Sequence, residues 1–217
     1  DKNDQVVARL QKLEKFKEMG IEAYPHSFNR SHDSCLLKEK KEEFLANETT
    51  ISFAGRVVRF NRKGKVCFMH LKDRYGRLQV VCARDIVGEE NYEGVKLIDL
   101  GDFIGVEGVM FETQTGEYSV KVSSVKMLSK AVRPLPTPKE KIDENGNKII
   151  FNEFADVDTR YRQRYTDMAL NDDVKDVFIK RSKIMQSIRE YLIEQGFIEV
   201  ETPTLQPIYG GANARPF

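Results

Sequence analysis

Between Ile51 and Arg84 the sequence carries nine basic residues, Arg59 and Arg62 among them, against a single acid, Asp73. An aromatic residue, Phe68, lies inside that run, Gln79 follows in the next apolar segment, and Glu117 comes directly after a Gln-Thr-Gly turn. Side chains of these kinds can hold a single nucleic-acid strand. Cations neutralise phosphates, a ring stacks on a base, an amide both donates to and accepts from a base edge, and a carboxylate takes a base amino or imino proton. Each residue alone has a plainer reading: a strand phenylalanine usually packs a core and a strand glutamine usually faces water. The basic run by itself fits a solvated strand surface equally well. Joint placement on one small barrel favours RNA binding.

For these residues to converge, the segments around them must be strands. Five short β-type segments, TISFAGRVVRF, KVCFMHLKD, RLQVVCAR, DFIGVEGVMFE and EYSVKVSSV, are separated by turn signals. Alternation is clearest where Tyr118, Val120 and Val122 interleave with Ser119, Lys121 and Ser123. Turns fit at Lys63-Gly64, at Tyr75-Gly76 and at QTGE, where Gly116 can take the positive φ of a tight hairpin. VGEENYEGVKLIDLGD, between the third and fourth segments, predicts a helix. Three strands, a helix and two strands is the plan of an OB-fold, a small Greek-key barrel that binds oligonucleotides. An SH3-like barrel or a sandwich would give similar strands without the helical insertion.

Ahead of the barrel, the spacing of Val6, Leu10, Leu13 and Phe16 predicts an amphipathic helix from Asn3 to Met19, with Gly20 past its end. Leu36 to Ala46 predicts a second, heavily charged one. Beyond it, the proline-rich RPLPTPKEKIDENGN reads as a linker. Apolar residues from Val174 to Leu192 then recur at helical spacing up to Gly196. FIEVETPTL reads as a strand that Pro203 confines to an edge or to another chain.

Composition narrows the classes further. With 40% hydrophobic and 32% charged residues and a net charge of +1, the chain is expected to be globular and cytoplasmic, with no membrane partner. Cys35, Cys67 and Cys82 lack metal or redox spacing and are expected to be reduced and buried. His26, His32 and His70 form no ligand pattern, so no metal site is expected.

GFIEVETPTL resembles the first signature of class II aminoacyl-tRNA synthetases, whose long helix, strand and proline build a homodimer interface. GGANARPF resembles the segment that follows this signature in lysine–tRNA ligases, and GIEAYP, ETQTGE, RPLP and RYRQRYTDM fall in that family's order. The resemblance runs from about Gln5 to Phe217. It implies an α+β chain of four parts: an N-terminal helical extension (1–50), a five-stranded OB-fold anticodon-binding domain (51–130), a linker (131–165), and the first helix and strand of an antiparallel catalytic domain (166–217). Phe68 would stack on the central anticodon uridine, with Gln79 and Glu117 reading its edges. Gly210, Gly211 and Ala212 would line the lysine pocket, and Gly196, Phe197 and Pro203 would lie at the dimer interface.

The implied partners are tRNA(Lys), L-lysine, ATP with Mg2+, and a second copy of the chain. The chain is expected to be an amino-terminal portion, catalytically incomplete alone, with no catalytic residue within 1–217. Where the family often has a basic residue three positions before the turn glycine, this chain has Asn61, which leaves open whether Arg59 or Arg62 meets the anticodon. The insert at 139–154 has no functional reading. A stand-alone RNA-binding module and an aspartate- or asparagine-specific relative are the alternatives.

Overall fold

A computed structural model describes residues 2–136, 139–142, 148–151 and 154–203. Gly210, Gly211 and Ala212 lie outside the described residues. The chain divides into two compact units, Asp1–Leu135 and Pro136–Phe217.

The first unit opens with α1 (Lys2–Glu18), followed by α2 (Ser34–Glu39) and α3 (Lys41–Asn47). The single helix expected over Leu36–Ala46 is thus two, broken at Lys40. The Asp33 side chain caps the first of them by accepting from the Leu36 N–H at 2.9 Å. Strands β1 (Ile51–Lys63), β2 (Val66–Lys72), β3 (Arg77–Ala83), β4 (Phe103–Glu112) and β5 (Tyr118–Ser129) follow, with α4 (Arg84–Val87) and α5 (Glu89–Lys96) between β3 and β4. They close into a barrel in the order β1-β2-β3-β5-β4, with β3 and β5 parallel and the other neighbours antiparallel. Closure leaves no edge strand to pair with another chain.

The barrel interior follows from period-two alternation. Cys67, Met69 and Leu71 of β2 face Val80 and Cys82 of β3 and Val120 and Val122 of β5, all fully buried. Cys67 and Cys82 are direct cross-strand partners, and burial raises their thiols to about 11 and about 12. Both are therefore the inert thiols expected; Cys35, by contrast, is exposed on α2, where only one helix face is covered.

A buried ion network fastens α1 to the closed barrel. Lys130 Nζ, with its side chain wholly buried, donates to Asp102 at 2.8 Å and to Asp99 at 2.6 Å. Lys12 of α1 reaches the other Asp99 oxygen at 2.5 Å, and Arg9 donates to the Ala131 and Leu100 carbonyls. Burial tends to raise the Asp99 carboxyl, but the bonds from Lys12 and Lys130 outweigh it and hold the group below its usual range.

The second unit contains β6 (Lys139–Ile142) paired with β7 (Lys148–Phe151), then α6 (Val157–Arg162), α7 (Arg164–Leu170) and α8 (Asp172–Glu194). RYRQRYTDM folds as the two short helices around buried Asp167, which accepts from Arg160, Arg164 and Asn171. Gly196, at φ +87°, ends α8, its N–H on the Ile193 carbonyl and that of Phe197 on Leu192. The strand expected over FIEVETPTL is not formed among the described residues 197–203. A strand needs a neighbour to accept its ladder bonds, and no described segment pairs with this one.

Replacing Lys130 with Met removes the buried cation that Asp102 and Asp99 share, leaving Asp102 with backbone donors alone, and should lower the unit's stability by about 3–5 kcal/mol at neutral pH in urea unfolding. Asp99 contributes fully above its unfolded value of about 3.9 and loses that contribution as pH falls through its lower folded value, so the difference between variant and parent should shrink below about pH 4.

Candidate nucleic-acid interface

Residues directly opposite one another in neighbouring strands share a face of the sheet. Because Cys67, Met69 and Leu71 point inward, Phe68 and His70 point outward. A bulge at Val58 resets the β1 register so that Arg59 pairs with His70 and Asn61 with Phe68. His70 also pairs with Gln79, and Gln79 with Ser119; Phe68 pairs with Val81, and Val81 with Lys121. Two rows therefore cross the outer surface of β1, β2, β3 and β5. One reads Arg59, His70, Gln79, Ser119, and the other reads Asn61, Phe68, Val81, Lys121.

Phe68 is half-buried on this face rather than inside the barrel, with exposed Asn61 and Lys121 in its row. The two arginines separate. Both are exposed, but Arg59 lies in the His70 row, whereas Arg62 is paired with Cys67 in the row that turns inward along β2, and its charge acts on that thiol and on Tyr92 of α5. Arg56, two positions before the bulge, is committed to the fold: it donates to the Gly101 carbonyl at 3.0 Å and lies over the Phe103 ring.

Glu117 reaches the same place from the β4–β5 turn. Gly116 takes φ +77°, its N–H bonds the Thr113 carbonyl at 2.8 Å, and the Glu117 N–H bonds Thr113 Oγ1 at 3.0 Å. Parallel pairing of β3 with β5 sets Glu117 beside Gln79. The Gln79 amide donates to Glu117 Oε2 at 2.6 Å and its carbonyl accepts from Ser119 Oγ at 2.8 Å. Only one orientation of the amide satisfies both, since the reverse would turn its oxygen toward a carboxylate.

The second Glu117 oxygen, Oε1, lies 3.0 Å from His70 Nε2. Residue types at the sequence level pointed to Phe68, Gln79 and Glu117 and passed over this histidine. The signal was present: His70 is two positions from Phe68, and period-two alternation puts both on one face. The arrangement sets a half-buried ring, a buried and oriented amide, a half-exposed carboxylate held at both ends and an exposed arginine on one face, which is chemistry suited to a flat, hydrogen-bonding ligand carrying phosphate.

This barrel and its outer face define an OB-fold nucleic-acid-binding domain, and residues 51–128 match the family of that description. Residues 156–217 match tRNA synthetases class II (D, K and N). Over nearly its whole length the chain is similar to lysine–tRNA ligases. It is 45% identical over 99% of its length to a lysine–tRNA ligase of Staphylococcus epidermidis, covering 42% of that protein. It is 43% identical to those of Staphylococcus haemolyticus and Staphylococcus saprophyticus, at the same coverage of both chains. The chain thus spans about two fifths of the length of the curated relatives it matches.

The face assignment has a direct consequence for stability. Leu71→Ala empties a fully buried site and should cost about 2–5 kcal/mol. Phe68→Ala, on the outer face, should cost clearly less, with both variants compared by urea unfolding.

Proposed function

We propose that the barrel binds the anticodon of tRNA(Lys), as part of a lysine–tRNA ligase that activates L-lysine with ATP and transfers it to that tRNA in the cytoplasm. The observation that carries this reading is the oriented Gln79–Glu117 pair beside outward-facing Phe68. Phe68 stacks on the central uridine. The Glu117 carboxylate accepts the uridine N3–H, and the Gln79 amide is placed beside it for a base oxygen. Cytidine presents a lone pair at N3 instead, which faces the carboxylate unfavourably. Arg59, in the row of His70 and Gln79, meets the backbone of the RNA; Arg62 does not.

Gly210, Gly211 and Ala212, which lie outside the described residues, line the lysine pocket in this reading, since backbone without bulky side chains permits close approach of the amino acid. ATP and Mg2+ belong to activation in this family. Among the described residues no group of three or more His, Cys, Asp or Glu side chains is placed to hold a metal ion. No described helix is long and apolar enough to cross a membrane.

The α8 face supports a homodimer. Val177, Ile184, Ile188 and Tyr191 recur along one stripe of the helix and are half or more exposed, and Phe178, Met185 and Leu192 follow along the adjacent stripe. Phe197 continues this surface beyond Gly196, with Pro203 further along. So much apolar area on one helix fits burial against a second copy.

Fluorescence anisotropy with anticodon stem-loops tests the central reading. A UUU loop should bind more tightly than a GUC loop, and Phe68→Ala should weaken the UUU complex by about 1–3 kcal/mol. Arg59→Gln should flatten the dependence of log affinity on log salt by about 0.7, the contribution of one single-strand phosphate, and Arg62→Gln should leave it unchanged. Equal binding of both loops would sink the anticodon reading. Separately, Ile188→Glu should convert dimer to monomer in sedimentation velocity; an unchanged sedimentation coefficient would remove α8 from the interface.

A further inference from the structure

We infer that His70 is a positioning residue for base discrimination, holding the Glu117 carboxylate in the orientation that reads the base. This rests on the anticodon reading of the same face. An ionised carboxylate only accepts hydrogen bonds, so the contact between His70 Nε2 and Glu117 Oε1 at 3.0 Å requires the proton on Nε2. Gln79 donates to the other oxygen at 2.6 Å. Glu117 is therefore gripped at both ends, by donors from adjacent strands in one cross-strand pair.

The grip matters because Glu117 has few other constraints. Its backbone is tied to Thr113 at the mouth of a turn, but its side chain is 47% exposed and free to rotate without the two donors. A carboxylate oxygen has two lone-pair directions. With one direction on each oxygen taken by His70 and Gln79, the remaining ones are fixed in space, and a base N3–H meets an acceptor already aimed. Removing the imidazole leaves a carboxylate anchored at one oxygen, able to turn about the Gln79 bond and to accept from whichever base edge is presented. Loss of the histidine then costs selectivity more than affinity.

The ring itself is held for this task. Its side chain is 15% exposed, it stands between Arg59 and Gln79 in its row, and its Nδ1 is buried without a hydrogen-bond partner. A buried ring nitrogen left unpaired is unfavourable. The Nε2 contact to Glu117 is thus the one polar interaction that accounts for a histidine, rather than an apolar residue, at this strand position.

Two variants separate positioning from packing. His70→Leu fills the space and donates nothing; His70→Gln restores a neutral N–H donor. Affinities are measured for the UUU stem-loop and for one with cytidine at the central position. The parent should prefer uridine, His70→Leu should lose about tenfold of that preference while keeping the parent's salt dependence, and His70→Gln should recover most of it. In the free protein, the Gln79 side-chain amide protons should keep their hydrogen-bonded shifts in both variants, while the Glu117 side-chain couplings should average toward free rotation in the Leu variant and stay near the parent's in the Gln variant. Undiminished preference in His70→Leu, with the parent binding normally, overturns the role of His70 alone. A parent that binds neither loop overturns the anticodon reading, and this inference with it.

Discussion

A strand that closes a barrel must give every second side chain to the inside, and β2 does so with Cys67, Met69 and Leu71, none of which has measurable exposure. That packing leaves Phe68 and His70 no choice of face. The bulge at Val58 then brings Arg59 into the His70 row, and the parallel pairing of β3 with β5 brings Glu117 to Gln79. The candidate site is a consequence of barrel closure: shift β2 by one residue and Phe68 would enter the core while Met69 faced outward. The stability of the interior and the layout of the surface are set by the same register.

Much of this was legible in the sequence. The five strands, the helical insertion between the third and fourth and the positive φ at Gly116 follow from alternation and turn chemistry, both local properties. Phe68, Gln79 and Glu117 could be picked out by type and by family resemblance. What sequence could not decide was which arginine shares their face. Arg59 and Arg62 differ by an odd number of positions, and counting along the strand assigns them only if the register is known. A bulge changes that count, and bulges depend on pairing with a second strand. His70 was missed for a related reason. A histidine without ligand spacing carries no signal until its neighbour across the sheet, and the turn that delivers Glu117, are known.

The second unit shows the reverse case. Its long helix and the glycine that ends it were readable from apolar spacing, and α8 runs from Asp172 to Glu194 with Gly196 beyond. The strand after it was read from composition, and the described residues 197–203 do not form it. Helices satisfy their backbone within one segment, whereas a strand exists only with a partner. The apolar stripes of α8 likewise point to something that covers them. The buried network of Lys130, Asp99 and Asp102, by contrast, was invisible in the sequence, because it joins α1 to the far end of β5 across long sequence separations.

In the proposed function, the RNA sits on the outer face of β1, β2, β3 and β5. Amide and side-chain NMR shifts recorded while a UUU anticodon stem-loop is added would test it most directly. Changes concentrated at Arg59, Phe68, His70, Gln79, Glu117 and Lys121, with α1 and the Lys130 network undisturbed, are the predicted result. Changes centred on α1, α8 or Arg62, with Phe68 and Gln79 unmoved, would contradict it.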